Sequence, residues 1–235
     1  MGEILFLLAD LLMIVAGYMA GWKLLRRYSN YLLGVEWLIV ATSGLNFLVW
    51  ALLGSDEHSA QYSVAFFFDA FSRSIGITLL LVVGLMRVTH RYKPGIAVDI
   101  ALFALATGVG LFLAQEKYRN HDLHVGPATF YVVANLLTLV FLGYFTWRLW
   151  TIGAHRVAAA TAIVSLAGTS VALFYDFFPW SFDDESRTLF YAYALAVWGL
   201  QLWIYYVAYR TLDEDNKASD NAGRAEPVAA ASATR

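Results

Sequence analysis

The sequence predicts an all-α, polytopic membrane protein of seven transmembrane helices, and three observations carry that prediction. Hydrophobic residues make up 60% of the 235-residue chain and charged residues 14%, against about 45–50% and about 25% in soluble domains. Seven apolar runs each reach the ~20 residues a helix needs to cross a bilayer. The basic residues alternate from one side of those runs to the other. The same composition excludes whole function classes. A net charge of -2 is not that of a broadly basic, nucleic-acid-binding surface. With no cysteine there is no disulfide, thiolate nucleophile, Cys-ligated zinc or iron–sulfur cluster.

In chain order the runs cover residues 3–22, 31–54, 62–88, 95–115, 127–150, 156–178 and 188–211. They are continuous rather than alternating, and only helices or closed barrels satisfy every backbone group in lipid, so each run is a helix. The first is a retained helix rather than a signal peptide, because Met1-Gly2-Glu3 is not basic and Asp10 interrupts the apolar stretch. Turn chemistry separates the later runs at Gly54-Ser55-Asp56, Lys93-Pro94-Gly95, Gly126-Pro127 and Pro179-Trp180-Ser181. Pro94 and Pro127 fall where a first helical turn accepts proline. The tail, residues 212–235, is polar and then Ala/Ser-rich, a composition that predicts disorder.

Placement of Lys and Arg sets the direction. Lys23, Arg26 and Arg27 follow helix 1, Arg87, Arg91 and Lys93 follow helix 3, and Arg148 and Arg156 follow helix 5. With Arg210 and the tail's Lys217, Arg224 and Arg235, twelve of the sixteen basic residues share one side. The opposite loops hold Lys117, Arg119 and Arg187, and Arg73 lies inside helix 3. By the positive-inside rule the N-terminus is outside and the C-terminus cytoplasmic. Compactness and a simple tail point to a bacterial inner membrane.

The chain also carries internal similarity. Ala9–Leu24 and Ala134–Leu149 align without gaps, with six of sixteen positions identical, Asp10 opposite Asn135 and Lys23 opposite Arg148. At an offset one smaller, Ile39-Val40 and Gly44 meet Ile163-Val164 and Gly168. Helices 1–3 therefore read as a parallel copy of helices 5–7, with helix 4 between them. Chance alignment of leucine-rich helices, with Trp and a basic residue as an interface anchor, is the other reading.

This 3+1+3 plan resembles the SWEET sugar transporters and, more widely, the seven-helix transporter–opsin group. The resemblance is architectural and covers the helical part of the chain. The Pro-Gln loop motif of SWEET relatives is missing, so no binding residue carries over. A pigmented opsin needs a lysine in helix 7 for its retinal, and residues 188–211 contain none.

Charged groups inside the bilayer cost about 2.5–3.5 kcal/mol each on insertion scales, so each calls for a partner or a purpose. Asp10, Asp69 and Asn135 lie at similar depth below the outer end, Asn46 likewise, and Arg73 one turn deeper. Asp69 and Arg73 are spaced i,i+4 and share one helix face, within the aromatic run Phe66-Phe67-Phe68-Asp69-Ala70-Phe71. Two readings stand: a polar cavity in which Asp10, Asp69, Arg73, Asn135, Asn46 and Asp176 bind a solute or relay a proton, or ion pairing that fixes helix packing. Asp176 by itself reads first as a solvated helix end, and Glu36 and Asp99 lie one turn from the cytoplasmic ends, within reach of water. His121 and His124, with His58, are weak metal candidates in acidic outer loops.

No histidine falls within a span, and no HExxH, GxSxG, P-loop or dinucleotide fingerprint occurs, so neither an enzyme nor a cofactor is expected. The leading expectation is a transporter or channel-like protein moving a small polar or ionic solute between two helix triplets. Its expected partners are the lipid bilayer and that solute, with a homo-oligomer or a second membrane protein open. A seven-helix sensor and an accessory subunit of a larger membrane complex are the alternatives.

Overall fold

The computed structural model describes residues 2–53, 59–118, 123–178, 182–184 and 187–233, with side chains as far as residue 222. Among these, seven helices are long and apolar enough to cross a membrane: α1 (Gly2–Tyr28), α2 (Tyr31–Leu52), α3 (Ala60–Thr89), α4 (Ile96–Leu113), α5 (Val125–Thr151), α6 (His155–Phe174) and α7 (Thr188–Ala233, apolar in its first part). This is the architecture of a multi-pass membrane protein. Its surface agrees: Val140, Leu137 and Ile163 are 76%, 68% and 67% exposed, as side chains facing lipid rather than water are.

The helices form a ring in the order α1, α2, α3, α5, α6, α7 and back to α1, with α4 outside it against α3 and the edge of α2. Helix α4 buries only Ala106, Gly110 and Leu113 of its length. Gly110 lets it approach α3 closely, since a Cβ there would sit 3.1 Å from the Phe71 backbone. The main core lies on the α1–α2–α7 side, where Ala16, Ala20, Leu24, Leu33, Trp37 and Tyr209 interlock. Small residues on α1 let the backbones close up there, which is how helices associate without a hydrophobic drive.

The short α1–α2 turn is pinned by side chains. Asn30 caps α2 by accepting from Leu33 N at 3.3 Å and donates to the Gly84 carbonyl of α3 at 2.9 Å. Arg87 donates to the Ser29 carbonyl at 2.7 Å.

Helix boundaries depart from the sequence expectation in two places that matter. Helix α6 stops at Phe174, so Tyr175 and Asp176 lie in a turn rather than in the helix. Pro179 in the sequence supplies a physical reason, since a proline has no N–H to donate to the carbonyl four residues back, here that of Tyr175, and so cannot continue the helix. At the other extreme, α7 does not end at residue 211, because the backbone stays helical to Ala233. Its polar part is held by i,i+4 ion pairs, Lys217 with Asp213 at 2.6 Å and Arg210 with Glu214 at 3.8 Å. Arg91 pairs with Asp220 at 2.5 Å and Asn216 donates to the Val88 carbonyl at 2.8 Å, fastening the extension to the end of α3.

The middle of α3, Ser72–Leu80, is π-helical. Ser74 and Thr78 return their hydroxyls to the carbonyls of Phe71 and Ser74 at 3.2 and 2.5 Å, competition with the regular ladder that loosens a helix. The widened turn accommodates a side chain from α2: a Cβ at Gly76 would land on the carboxyl group of Glu36. Widened turns of this kind recur at functional sites.

Candidate functional site

A cavity of about 70 Å³ occupies the centre of the ring, enough for several water molecules at ~10–15 Å³ each. Every helix of the ring lines it and α4 does not. Its wall is mixed. Aromatic and apolar side chains such as Trp37, Phe68, Trp198 and Leu142 alternate with Ser43, Thr138, Asn135, Gln201 and the charged groups of α3.

Arg73 is the centre of the charged end. Its Nη1 lies 3.4 Å from Asp69 Oδ2 and its Nη2 lies 2.6 Å from Asp176 Oδ2. The guanidinium is sandwiched between two rings, with its Cζ 4.1 Å from the Tyr131 centroid and 3.6 Å from that of Tyr175. Tyr175 also donates its hydroxyl to Asp69 Oδ1 at 3.2 Å. Two carboxylates and two π faces thus share one cation, an arrangement suited to the planar, always-charged guanidinium. The side chains of Arg73, Asp69 and Asp176 are 10%, 17% and 24% exposed, so access grows toward Asp176.

Local sequence explains the placement. The i,i+4 spacing puts Asp69 and Arg73 on one face of α3. The turn after Phe174 swings Asp176 inward, and Arg187 holds that turn by donating to the Tyr175 carbonyl at 3.3 Å. On α5, Asn135 donates to the Tyr131 carbonyl at 2.9 Å, one turn back. The opposite wall is a hydroxyl–amide network in which Ser165 and Tyr205 share a hydrogen bond at 2.9 Å and Gln201 donates to Tyr205 at 3.1 Å.

The structure therefore brings together Asp69, Arg73, Asp176 and Asn135 and leaves Asp10 and Asn46 elsewhere. Asp10 is 1% exposed at the α1–α2 seam, where a Cβ on Gly44 would stand 2.7 Å from its Oδ1. Neither of its carboxyl oxygens has a hydrogen-bond partner. Asn46 binds Gln61 of α3 through both its amide nitrogen and its oxygen, fastening α2 to α3. Asp176 is more than a solvated helix end, because the turn folds it onto Arg73. Glu36 does not meet water near the helix end; it is 0% exposed between α2 and α3. Of the histidines named as metal candidates, His58 and His121 lie outside the described residues, and His124 packs edge-on against Tyr118. No group of three metal-ligating side chains occurs among the described residues.

Sequence reasoning missed Tyr131 as a wall of the guanidinium site. Its one available signal was position, four residues before Asn135 and hence on the same helix face. The Ser165–Tyr205–Gln201 network was equally hidden, its members lying on two helices.

No family model, curated protein or solved structure matches this chain.

Proposed function

We propose that the protein is a small carrier that moves a polar, preferentially cationic solute through the central cavity. One observation carries the reading: a desolvated Arg73 sits between Asp69 and Asp176, beside a cavity wide enough for a few waters. Two carboxylates against one guanidinium leave the site one negative charge in excess, and Tyr131 and Tyr175 present π faces, which favours a cation over an anion. Charges held this deep are expensive unless they serve a path.

In this reading the N-terminus is outside and the basic loops cytoplasmic, in a bacterial inner membrane, so that Asp176 stands at the outer mouth. Helices α1–α3 and α5–α7 act as parallel repeats that rock about the cavity to expose it alternately, with α4 as the linker. The exclusion of α4 from the cavity wall supports that division.

A sensor is the second reading, favoured by the α7 extension clamped to the end of α3 by Arg91–Asp220 and Asn216. Such a strut would transmit a cavity movement to a cytoplasmic partner.

The deciding experiment is uptake of labelled ammonium, methylammonium and guanidinium into proteoliposomes. The carrier reading expects flux above that of empty liposomes, lost in Asp69→Asn while the variant keeps its helical content. Uptake equal to that of empty liposomes for the whole panel, together with a ligand-dependent change in protease protection of the α7 extension, would replace the carrier with the sensor.

A further inference from the structure

Glu36 takes no part in lining the cavity, yet its setting is the most unusual in the molecule. It projects from the second turn of α2 into the π-helical stretch of α3, is 0% exposed, and neither carboxyl oxygen has a hydrogen-bond partner. Gly76 is there to make room, since any side chain at that position would strike the carboxyl group.

Among the described residues, no charged or titratable group on the helices packed against α2 compensates it. On α3, Asp69 and Arg73 are turned to each other. On α1, Asp10 faces Gly44 and Lys23 lies over the Trp203 and Tyr206 rings of α7. On α4, Asp99 borders a separate cavity together with Arg87 and Lys93. Among the described residues, the Ser72 hydroxyl of α3 is the polar group that stands beside Glu36, near enough to act on the carboxyl group although neither is hydrogen-bonded in this arrangement.

An isolated carboxylate in such surroundings would cost far more than the fold can supply, and a buried carboxyl without a partner is neutralised instead. A metal ion is a poor fit. Hard cations such as calcium take about six to eight oxygens, and the side chains here offer three, whereas a proton needs one. Ser72 also lines the central cavity, and a serine hydroxyl both donates and accepts.

We propose that Glu36 is a proton-binding site within the bundle, loaded from the central cavity through Ser72, and that the proton is the coupling ion of the carrier. In the loading step the Ser72 hydroxyl first turns onto the Glu36 carboxylate; a proton from cavity water then passes to the Ser72 oxygen as its own hydroxyl proton passes to Glu36, so the serine ends as it began. Unloading requires the π-helical segment of α3 to shift, because the anion has no partner in this arrangement. The coupling role rests on the carrier reading above; the proton site does not.

The test is infrared spectroscopy of the intact protein in phosphatidylcholine vesicles at neutral pH. A carboxylic-acid C=O band is expected that disappears in Glu36→Gln and survives in Asp69→Asn. Asp10, also unpartnered, contributes its own band, so the assignment comes from the difference spectrum. Gly76→Ala, which presses on the carboxyl group, is expected to move the Glu36 band. That variant supplies the assignment should Glu36→Gln not insert. Ser72→Ala should slow transfer of the band to its deuterated position by roughly a hundredfold or more, the low end of what a positioned proton-transfer group contributes. If Glu36→Gln removes no acid band and Gly76→Ala moves none, the site is overturned. If Ser72→Ala exchanges at the wild-type rate, the route is overturned. A Glu36 band in a protein without cation flux would end the carrier and its coupling and keep the proton site. Flux without the band would do the reverse.

Discussion

Asp69 and Asp10 enter the bundle from the same end at similar depth, and their fates differ completely. Asp69 faces Arg73 at 3.4 Å, receives the Tyr175 hydroxyl and borders the central cavity. Asp10 is sealed into the α1–α2 seam against Gly44 with both oxygens unpartnered. The first is part of an ion-paired cluster at the edge of a polar space; the second is a polar group buried at a packing interface, where Met13 and Ile14 also come up against Gly44. Depth in the membrane therefore does not assign a role to an acid. The partner available on the neighbouring helix does.

Substitution separates the two acids, and the largest effect belongs to Arg73. Arg73→Ala leaves Asp69 and Asp176 facing each other without a cation, and removal of one member of a buried ion pair costs about 3–5 kcal/mol. Thermal unfolding in detergent should show a large drop, partly recovered by adding Asp69→Asn to Arg73→Ala. An unchanged unfolding midpoint for Arg73→Ala would mean that the cluster holds nothing together.

Asp10 should respond in the opposite sense. Asp10→Leu keeps the branching of the side chain and removes the unpaired oxygens, whose burial costs about 1–3 kcal/mol. The variant is expected to unfold at a higher temperature than the wild type, where Asp69→Leu unfolds at a lower one. Should both substitutions destabilise equally, the two acids are not different in kind.

The smallest effect is expected at the fastening of the α7 extension. The Arg91 and Asp220 side chains are 54% and 52% exposed, and exposed pairs contribute about 0–1 kcal/mol. Asp220→Asn should leave the unfolding midpoint within error. The same variant should speed proteolysis of the chain beyond Thr211 if the pair holds the extension to α3.

Much of this was legible in the sequence, and the parts that were not share a cause. All seven spans follow from apolar runs, because the bilayer enforces a length on each helix regardless of its neighbours. The Asp69–Arg73 pair was legible because helical periodicity alone puts residues four apart side by side. The Asp176 contact was not, since it joins positions 103 apart and depends on where α6 stops. Glu36 looked water-accessible when measured along its own helix, and only the widened turn of α3 shows it enclosed. The polar stretch after Thr211 reads as disordered by composition, but its acids and lysine are spaced to pair along a helix. Sequence reports what one helix wants; it is silent about which face of the next helix will meet it.

A carrier requires the central cavity to be a polar, water-accessible space rather than a packing defect. The chain contains no cysteine, so single cysteines can be placed without altering the background. Asn135→Cys and Thr138→Cys face the cavity from α5, whereas Leu137→Cys and Val140→Cys lie on its exposed outer surface. In intact membrane vesicles, a water-soluble, membrane-impermeant thiol reagent should label the first two and spare the second two. Labelling of neither Asn135→Cys nor Thr138→Cys, or equal labelling of all four, would contradict it.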